Sequence, residues 1–293
     1  MILEETIKEA SKVLKKYDID SYALDAEIIL SSIIGVSREF LLVNNNLDIP
    51  RKIVKKYYSA INRRINREPV AYIIGKKEFW SQNFVVNNST LVPRPETEIL
   101  IYKLVNFYKN RRINILDIGT GSGCILLSML KELNLSRGVG IDISARAIRT
   151  AQLNSKNLNL SLRSKFKVFD LKKFNIGKYD LIVSNPPYIP SRDIKNLSKD
   201  IINHEPLTAL NGGYDGLDLI KKVIYKSNAL LKMNGMLAIE IGNHQYRKVS
   251  GILKKCKFTE FSKEYDYNHN VRCIISTKVG NSWILIKLFW QTK

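Results

Sequence analysis

The sequence predicts an α/β fold, in which a seven-stranded, mostly parallel sheet with helices on both faces follows a helical domain and a β-hairpin linker. Three observations predict it. Apolar residues recur at helical spacing over the first 70 residues, short apolar runs alternate with helical patterns from residue 113 onward, and a glycine-rich segment follows the first of those runs. Such alternation is typical of a parallel sheet covered by helices on both faces.

Residues 1–70 form the predicted helical domain. One helix is indicated from Leu3 to Leu14, and a second from Tyr22 to Ile34, which Gly35 closes. A third follows Pro50, and its predicted core stripe is Val54, Tyr58, Ile61 and Ile65. The opposite face of that helix carries the basic residues Lys52, Lys55, Lys56, Arg63 and Arg64. This pattern favours a small helical bundle with its own core.

Residues 71–92 form the predicted hairpin linker. Two strand-like runs, Glu78–Trp80 and Phe84–Val86, flank a turn at residues 81–83. A helix then begins near Pro95, since proline and acidic side chains suit a first helical turn. The catalytic domain is assigned to residues 93–279, and residues 280–293 are a tail without an assigned role.

Seven strands and three further helices are predicted within the catalytic domain. The strands cover residues 113–116, 139–141, 166–169, 179–184, 236–241, 258–265 and 271–277. The helices cover residues 125–133, 145–157 and 217–231. The last two strands flank a turn at residues 268–270, which indicates a closing hairpin.

Composition narrows the class of protein. The start of the chain lacks a secretory pattern, and no apolar run reaches the ~18 residues that a membrane helix needs. Three scattered cysteines and three scattered histidines favour a reducing, cytoplasmic setting and no metal site. The net charge is +20, but basic residues are spread along the whole chain, so charge favours no stable nucleic-acid partner. A monomer is predicted because no interface pattern stands out.

A glycine-rich turn predicts a nucleoside site. Asp117 and Ile118 lead into Gly119, Thr120, Gly121, Ser122 and Gly123, between a strand and a helix. Asp142 ends the next strand, where an acidic side chain can accept hydrogen bonds from ribose hydroxyls. A dinucleotide fingerprint needs glycine or alanine at position 124, which is Cys124 here. The spacing instead resembles the first motif of class I methyltransferases, which bind S-adenosylmethionine.

The tetrapeptide Asn185, Pro186, Pro187 and Tyr188 predicts the chemistry. It follows a strand, so it lies at the carboxyl edge of the sheet, where ligands bind. An amide or exocyclic nitrogen is a poor nucleophile because its lone pair is delocalised. The Asn185 oxygen and the Pro186 carbonyl can each accept one N–H of such a group, while Tyr188 stacks on its plane. Asp170 and Leu171, after the third strand, are predicted to line the adenine pocket.

These motifs resemble the PrmC/HemK family, the bacterial N5-glutamine methyltransferases of peptide chain release factors. The segments that carry the resemblance are 68–75, 78–80, 91–98, 184–189 and 204–210. The resemblance implies cofactor contacts at Gly119–Gly123, Asp142, Leu171 and Asn185, and substrate-amide contacts at 185–188. It also implies that the helical domain docks a release factor, whose Gly-Gly-Gln loop presents the glutamine. Leu171 departs from the tryptophan that many relatives carry.

Three other functions are compatible with parts of the pattern. A nucleic-acid methyltransferase acting on adenine N6 or guanine N2 must also activate a nitrogen whose lone pair is delocalised. No target-recognition or RNA-binding module is visible in the sequence, however. A nonenzymatic nucleoside-binding module has no need of the tetrapeptide. A dehydrogenase is disfavoured by the glycine spacing and by the lack of a nearby acid/base histidine.

Overall fold

The computed structural model describes residues 1–279. These residues divide into two compact units. The helical unit contains residues 1–76, 86–88 and 197–205, and the sheet unit contains residues 77–85, 89–196 and 206 onward. No helix in the described part of the chain is long and apolar enough to cross a membrane.

The helices and strands within residues 1–279 are numbered in chain order. The helices are α1 Leu3–Lys16, α2 Tyr22–Ile34, α3 Arg38–Val43, α4 Arg51–Ile65, α5 Val70–Ile74, α6 Glu96–Tyr108, α7 Cys124–Glu132, α8 Ala145–Asn157, α9 Lys199–His204, α10 Asp218–Leu230 and α11 Tyr246–Lys255. The strands are β1 Lys76–Phe79, β2 Gln82–Val85, β3 Asn114–Ile118, β4 Arg137–Asp142, β5 Ser164–Val168, β6 Tyr179–Ser184, β7 Leu231–Glu240, β8 Phe258–Tyr265 and β9 Val271–Lys278.

The buried face of α4 lies one position away from the predicted stripe. Tyr57 and Ile61 are buried in the core of the helical unit, while Val54 and Ile65 pack at its margin. Tyr58, predicted to be in the core, is partly exposed and donates a hydrogen bond to Glu9. The prediction is wrong at this position because the phenol reaches a carboxylate there, while the Tyr57 hydroxyl bonds to a backbone carbonyl in α2.

Arg64 is also buried, although the sequence places it on the basic outer face of α4. It is 6% exposed. Its guanidinium donates to Asp25 and to Asp200, each at 2.7 Å. A charge can be buried when it is paired and hydrogen-bonded. The two carboxylates therefore allow Arg64 to be buried, although the apolar periodicity of α4 predicts that it is exposed.

Strands β1 and β2 form the predicted hairpin, but the turn is shorter than predicted. Trp80 and Ser81 form a two-residue turn, and both have positive φ, at 50° and 53°. Two-residue turns of this kind match the right-handed twist of the flanking strands. The predicted turn at 81–83 is therefore wrong by position and by length.

The sheet has seven strands in the order β5-β4-β3-β6-β7-β9-β8. Strands β3 to β7 run parallel to one another, and β9 pairs antiparallel with both β7 and β8. Successive residues of β3 face opposite layers, since Ile115 joins one buried cluster and Leu116 the other. The predicted fold class is confirmed. The strand order reverses between β3 and β6, where open α/β sheets place their ligands.

Candidate active site

A cavity of about 390 Å³ lies in the sheet unit, at the carboxyl ends of β3 to β6. That size is in the usual range for small-molecule sites. Its walls come from the segments that follow those four strands, together with the entry to α6 and the residues after α9. The residues that line it are Ser89 to Leu91, Pro93, Arg94, Thr97, Ile118 to Ser122, Cys124, Ile125, Ile141 to Ser144, Phe169 to Lys172, Asn185, Pro187, Pro206, Thr208, Ala209, Leu219 and Lys222.

The glycine-rich loop shapes the cavity floor. Gly119, Gly121 and Gly123 have positive φ, at 73°, 55° and 80°, which glycine adopts without the strain that a side chain would meet. The loop amides are used within the protein, because Gly119 and Thr120 donate to the Ile141 carbonyl and Gly121 donates to Asp142. The loop therefore contributes a close-fitting backbone surface to the cavity.

Asp117 lies beneath this loop and is fully buried. Its Oδ2 accepts a hydrogen bond of 2.6 Å from the Thr120 hydroxyl. Its Oδ1 has no protein partner among the described residues. Burial raises the pKa of this carboxyl to about 7, an effect that the Thr120 hydrogen bond opposes. A buried acceptor without a partner is rare. Ile118 and Thr120 line the cavity, so a cation bound there would lie near this carboxyl and favour its ionised form.

Asp142 ends β4 and lines the cavity. Its two carboxylate oxygens accept from the amides of Gly121 and Ser144, at 3.0 and 2.9 Å. Burial raises the pKa of this carboxyl, while these amides oppose the rise. Each oxygen keeps a second lone pair, so the fixed carboxylate can still accept from a pair of hydroxyls.

The cavity wall beyond β5 is apolar. Leu171 is buried in the core beneath the sheet but also lines the cavity, beside Phe169 and Ile143. Ile143 is 64% exposed, which is high for a large aliphatic residue. Asp170 accepts from the Lys172 amide at 2.9 Å and borders the same wall. A flat apolar ring could pack against Ile143 and Leu171, with a polar edge directed toward Asp170.

Asn185 reaches the cavity from the end of β6. Its amide nitrogen donates to the Thr97 hydroxyl at 3.3 Å. That hydroxyl in turn donates to Glu240 at 2.7 Å. Because the nitrogen is held by Thr97, the side-chain oxygen is the end of the amide that faces away from the hydroxyl.

Pro186, Pro187 and Tyr188 differ in their placement. Pro187 lines the cavity, Pro186 is buried, and Tyr188 is outside the lining. The Tyr188 hydroxyl donates to Glu240 at 3.2 Å and accepts from Arg272 at 3.2 Å. The Arg272 guanidinium lies 5.5 Å from the ring centroid, so one ring face is covered. Stacking of a target amide on Tyr188 would have to use the opposite face.

Nine of the thirteen predicted site residues line the cavity, whereas Asp117, Gly123, Pro186 and Tyr188 are not among the lining residues. Sequence reasoning did not identify Thr97, Glu240 or Arg272. Glu240 carried a usable signal, since an acidic residue at the end of a buried strand repeats the pattern of Asp142. Thr97 lies in segment 91–98, which predicts a helix start and carries part of the family resemblance, but neither feature assigns this threonine a role.

Two family models match the chain. One is described as the PrmC N-terminal domain and matches residues 5–75, and the other is the methyltransferase small domain, at residues 95–214. A release factor glutamine methyltransferase from Clostridium acetobutylicum is 35% identical over 96% of this chain and 100% of its own length. One from Buchnera aphidicola subsp. Schizaphis graminum is 38% identical over 93% and 98%.

A solved methyltransferase from Pyrococcus furiosus has the same fold, with a TM-score of 0.52 at 15% identity, over 67% of this chain and 89% of that one. The fold and the cavity at its sheet edge define a class I methyltransferase that uses S-adenosylmethionine and carries an added helical domain. More narrowly, the similarity over nearly full length at 35–38% identity shows that the chain belongs to the release factor glutamine methyltransferase family, PrmC/HemK.

Proposed function

We propose that this protein methylates the side-chain amide nitrogen (N5) of the glutamine in the Gly-Gly-Gln motif of peptide chain release factors. The observation that carries the proposal is the placement of Asn185. Its side chain lines a nucleoside-sized cavity and its nitrogen is held by Thr97, so an amide oxygen is available at the cavity's edge. The family to which the chain belongs supports the same activity.

The residues of the cavity fit S-adenosylmethionine. Asp142 would hold the ribose hydroxyls, and the apolar wall of Ile143 and Leu171 would pack against adenine, with Asp170 at its polar edge. Asp117 does not line the cavity, so its buried carboxylate would act on the cationic amino-acid part through its charge. When bound there, the cofactor supplies a methyl group already activated on a positively charged sulfur.

The protein's own contribution is to hold the target nitrogen. The Asn185 oxygen and the Pro186 carbonyl would each accept one N–H of the glutamine amide. Two acceptors placed off the amide plane favour a pyramidal nitrogen whose lone pair is available for reaction. Correct placement of two reactants can lower a barrier by up to ~7–11 kcal/mol, so no covalent enzyme intermediate is required.

We further infer that the protein acts in the cytoplasm as a monomer, with release factors as its protein partner. Three free cysteines, two of them buried, support a reducing setting. The helical unit is the part that we assign to release-factor docking, because its matched family model is distinct from the methyltransferase domain.

Incubation of purified protein with labelled S-adenosylmethionine, recombinant release factor, and total RNA or DNA tests the proposal. We expect label only in the release factor, and none when its Gly-Gly-Gln glutamine is replaced. Label in nucleic acid alone would assign the enzyme to exocyclic amines of bases instead.

Asn185→Ala tests the role of the amide within the same assay. We expect turnover to fall by about 10²–10³-fold, the loss typical of removing one preorganised hydrogen-bonding group, with a much smaller change in cofactor affinity. Asn157→Ala, at an exposed position ending α8, is the matched control. Equal losses of turnover and cofactor affinity in Asn185→Ala would mean that Asn185 mainly binds the cofactor.

A further inference from the structure

A buried chain of hydrogen bonds runs from the end of β7 to the cavity. Glu240 is the last residue of β7 and is fully buried. Thr97, in the first turn of α6, donates to Glu240 Oε2 at 2.7 Å. Asn185 Nδ2 donates to Thr97 Oγ1 at 3.3 Å. The chain therefore links a carboxylate that does not line the cavity to the amide proposed to hold the substrate nitrogen.

The direction of these bonds is fixed by the carboxylate. An ionised carboxylate can only accept, so the single hydroxyl proton of Thr97 is donated to Glu240. The Thr97 oxygen can then only accept from Asn185. Asn185 must present its NH2 end to Thr97, and its oxygen must face away. Without the carboxylate, the hydroxyl could donate to Asn185 and the amide could turn over.

The other carboxylate oxygen holds the tetrapeptide at a second point. Glu240 Oε1 accepts from the Tyr188 hydroxyl at 3.2 Å, and Arg272 donates to that same hydroxyl at 3.2 Å. Burial raises the pKa of Glu240, whereas the hydrogen bonds from Thr97 and Tyr188 and the positive charge of Arg272 favour its ionised form. One oxygen of Glu240 therefore accepts from Tyr188, a member of the tetrapeptide. The other accepts from Thr97, which in turn accepts from Asn185.

We propose that Glu240 and Thr97 are positioning residues, which orient the Asn185 side-chain amide with its oxygen toward the substrate nitrogen. Neither residue reacts, and both act through Asn185. This inference rests on the proposed function, since it assigns the orientation of the same acceptor. Burying a carboxylate destabilises a protein unless hydrogen bonds compensate for the lost water. The hydrogen-bond donors to Glu240 are Tyr188, which belongs to the tetrapeptide, and Thr97, which bonds to Asn185.

A double-mutant cycle tests this proposal. Thr97→Val removes the hydroxyl at nearly constant size, and we expect turnover to fall by about 10- to 100-fold, because small misplacements of a reacting group cost up to ~10²-fold. KM for the release factor and the cofactor affinity, measured by calorimetry, should change much less. In the Asn185→Ala background, Thr97→Val should cost nothing further, since its effect passes through Asn185.

Three more variants complete the design. Thr97→Ser keeps the hydroxyl and should restore most of the turnover. Glu240→Gln keeps the size of the side chain but can donate to Thr97, so it should lower turnover and also show no further loss with Asn185→Ala. It serves as the second test if Thr97→Val does not fold. Thr150→Val, at a buried threonine of α8 outside the cavity lining, controls for the same substitution elsewhere.

Equal losses from Thr97→Val with and without Asn185 would overturn the positioning role, as would a loss confined to cofactor affinity. These outcomes differ from failure of the proposed function, in which the wild-type protein would not label the release factor at all.

Discussion

Three carboxylates at the ends of parallel strands give the site its electrostatic character. Asp117 lies in the buried part of β3, one residue before its end, Asp142 ends β4, and Glu240 ends β7. Burial raises the pKa of all three, and each is hydrogen-bonded to a different group. Glu240 does not line the cavity, and the positive charge of Arg272 lies near it. The negative charges of Asp117 and Asp142, in a region of low dielectric constant, match the sulfonium and ammonium charges of S-adenosylmethionine.

Asp117 should make cofactor affinity depend on pH near neutrality. Its pKa is raised to about 7, so the carboxylate form is present above that pH and is lost as the pH falls through it. A cationic ligand needs the carboxylate. We therefore expect affinity, measured by calorimetry, to weaken by about tenfold between pH 8 and pH 6, the change that follows from titrating one group across its pKa.

Asp117→Asn should bind weakly at both pH values and show no such dependence. Asp48→Asn, whose side chain is 88% exposed in the helical unit, should behave as wild type. Unchanged wild-type affinity across this range would show that Asp117 does not interact with the cofactor's charge.

At the scale of elements, the entry to α7 depends on glycine geometry. Gly123 precedes α7 with φ of 80°. A Cβ there would lie 3.1 Å from Leu127 and 3.2 Å from both Ala151 and Phe166, so the site is tight as well as left-handed. The close approach of α7, α8 and β5 at this position is what lets the loop lie against the sheet.

A pair of glycine substitutions tests this geometry by thermal or denaturant unfolding. Gly123→Ala should destabilise the protein by about 1–3 kcal/mol, from left-handed strain and crowding together. Gly251→Ala is the matched control, because Gly251 lies inside α11 with open space around it. It should stabilise the protein by about 0.5–1 kcal/mol, since alanine favours helices. Destabilisation of equal size in both variants would contradict the argument.

Elements with a clear apolar period were predictable from sequence, whereas the shortest helices were not. The bounds of α2, α8, β6 and β8 agree with the predicted ranges, because each carries a clear apolar period or strong boundary residues. Helices α3, α5 and α9 have only five or six residues, too few for a period to show. The sequence does not predict helix α11, since Gly251 interrupts an otherwise amphipathic pattern.

The same distinction holds within the candidate site. The glycine loop and the tetrapeptide are contiguous in sequence, so their residue types could be interpreted directly. The contacts of Thr97 with Asn185 and Glu240 span 88 and 143 positions. Only the order and register of the sheet bring such residues together, and no local pattern encodes that.

For the molecule as a whole, long-range charge pairing shows which segments belong together. Arg64 pairs with Asp25, 39 positions earlier, and with Asp200, 136 positions later. Residues 197–205 thereby belong to the helical unit although they lie far along the chain. The His204 ring adds a contact of 2.9 Å to the Asn66 carbonyl, which reinforces the same attachment.

Arg64→Gln should loosen that attachment. Removing one partner of a buried ion pair leaves uncompensated carboxylates and typically costs about 3–5 kcal/mol, so the helical unit should unfold at lower temperature. Amides of residues 199–205 should also exchange with solvent faster, whereas those of β3 and β6 should keep their protection.

Arg38→Gln is the matched control for the loss of an arginine ion pair. Arg38 pairs with Glu27 at 2.6 Å, but its side chain is 42% exposed, against 7% for Arg64. Exposed pairs contribute only about 0–1 kcal/mol because water solvates the separated charges well. Similar small effects of both substitutions would mean that Asp25 and Asp200 find other partners, and that residues 197–205 are held in the helical unit by packing alone.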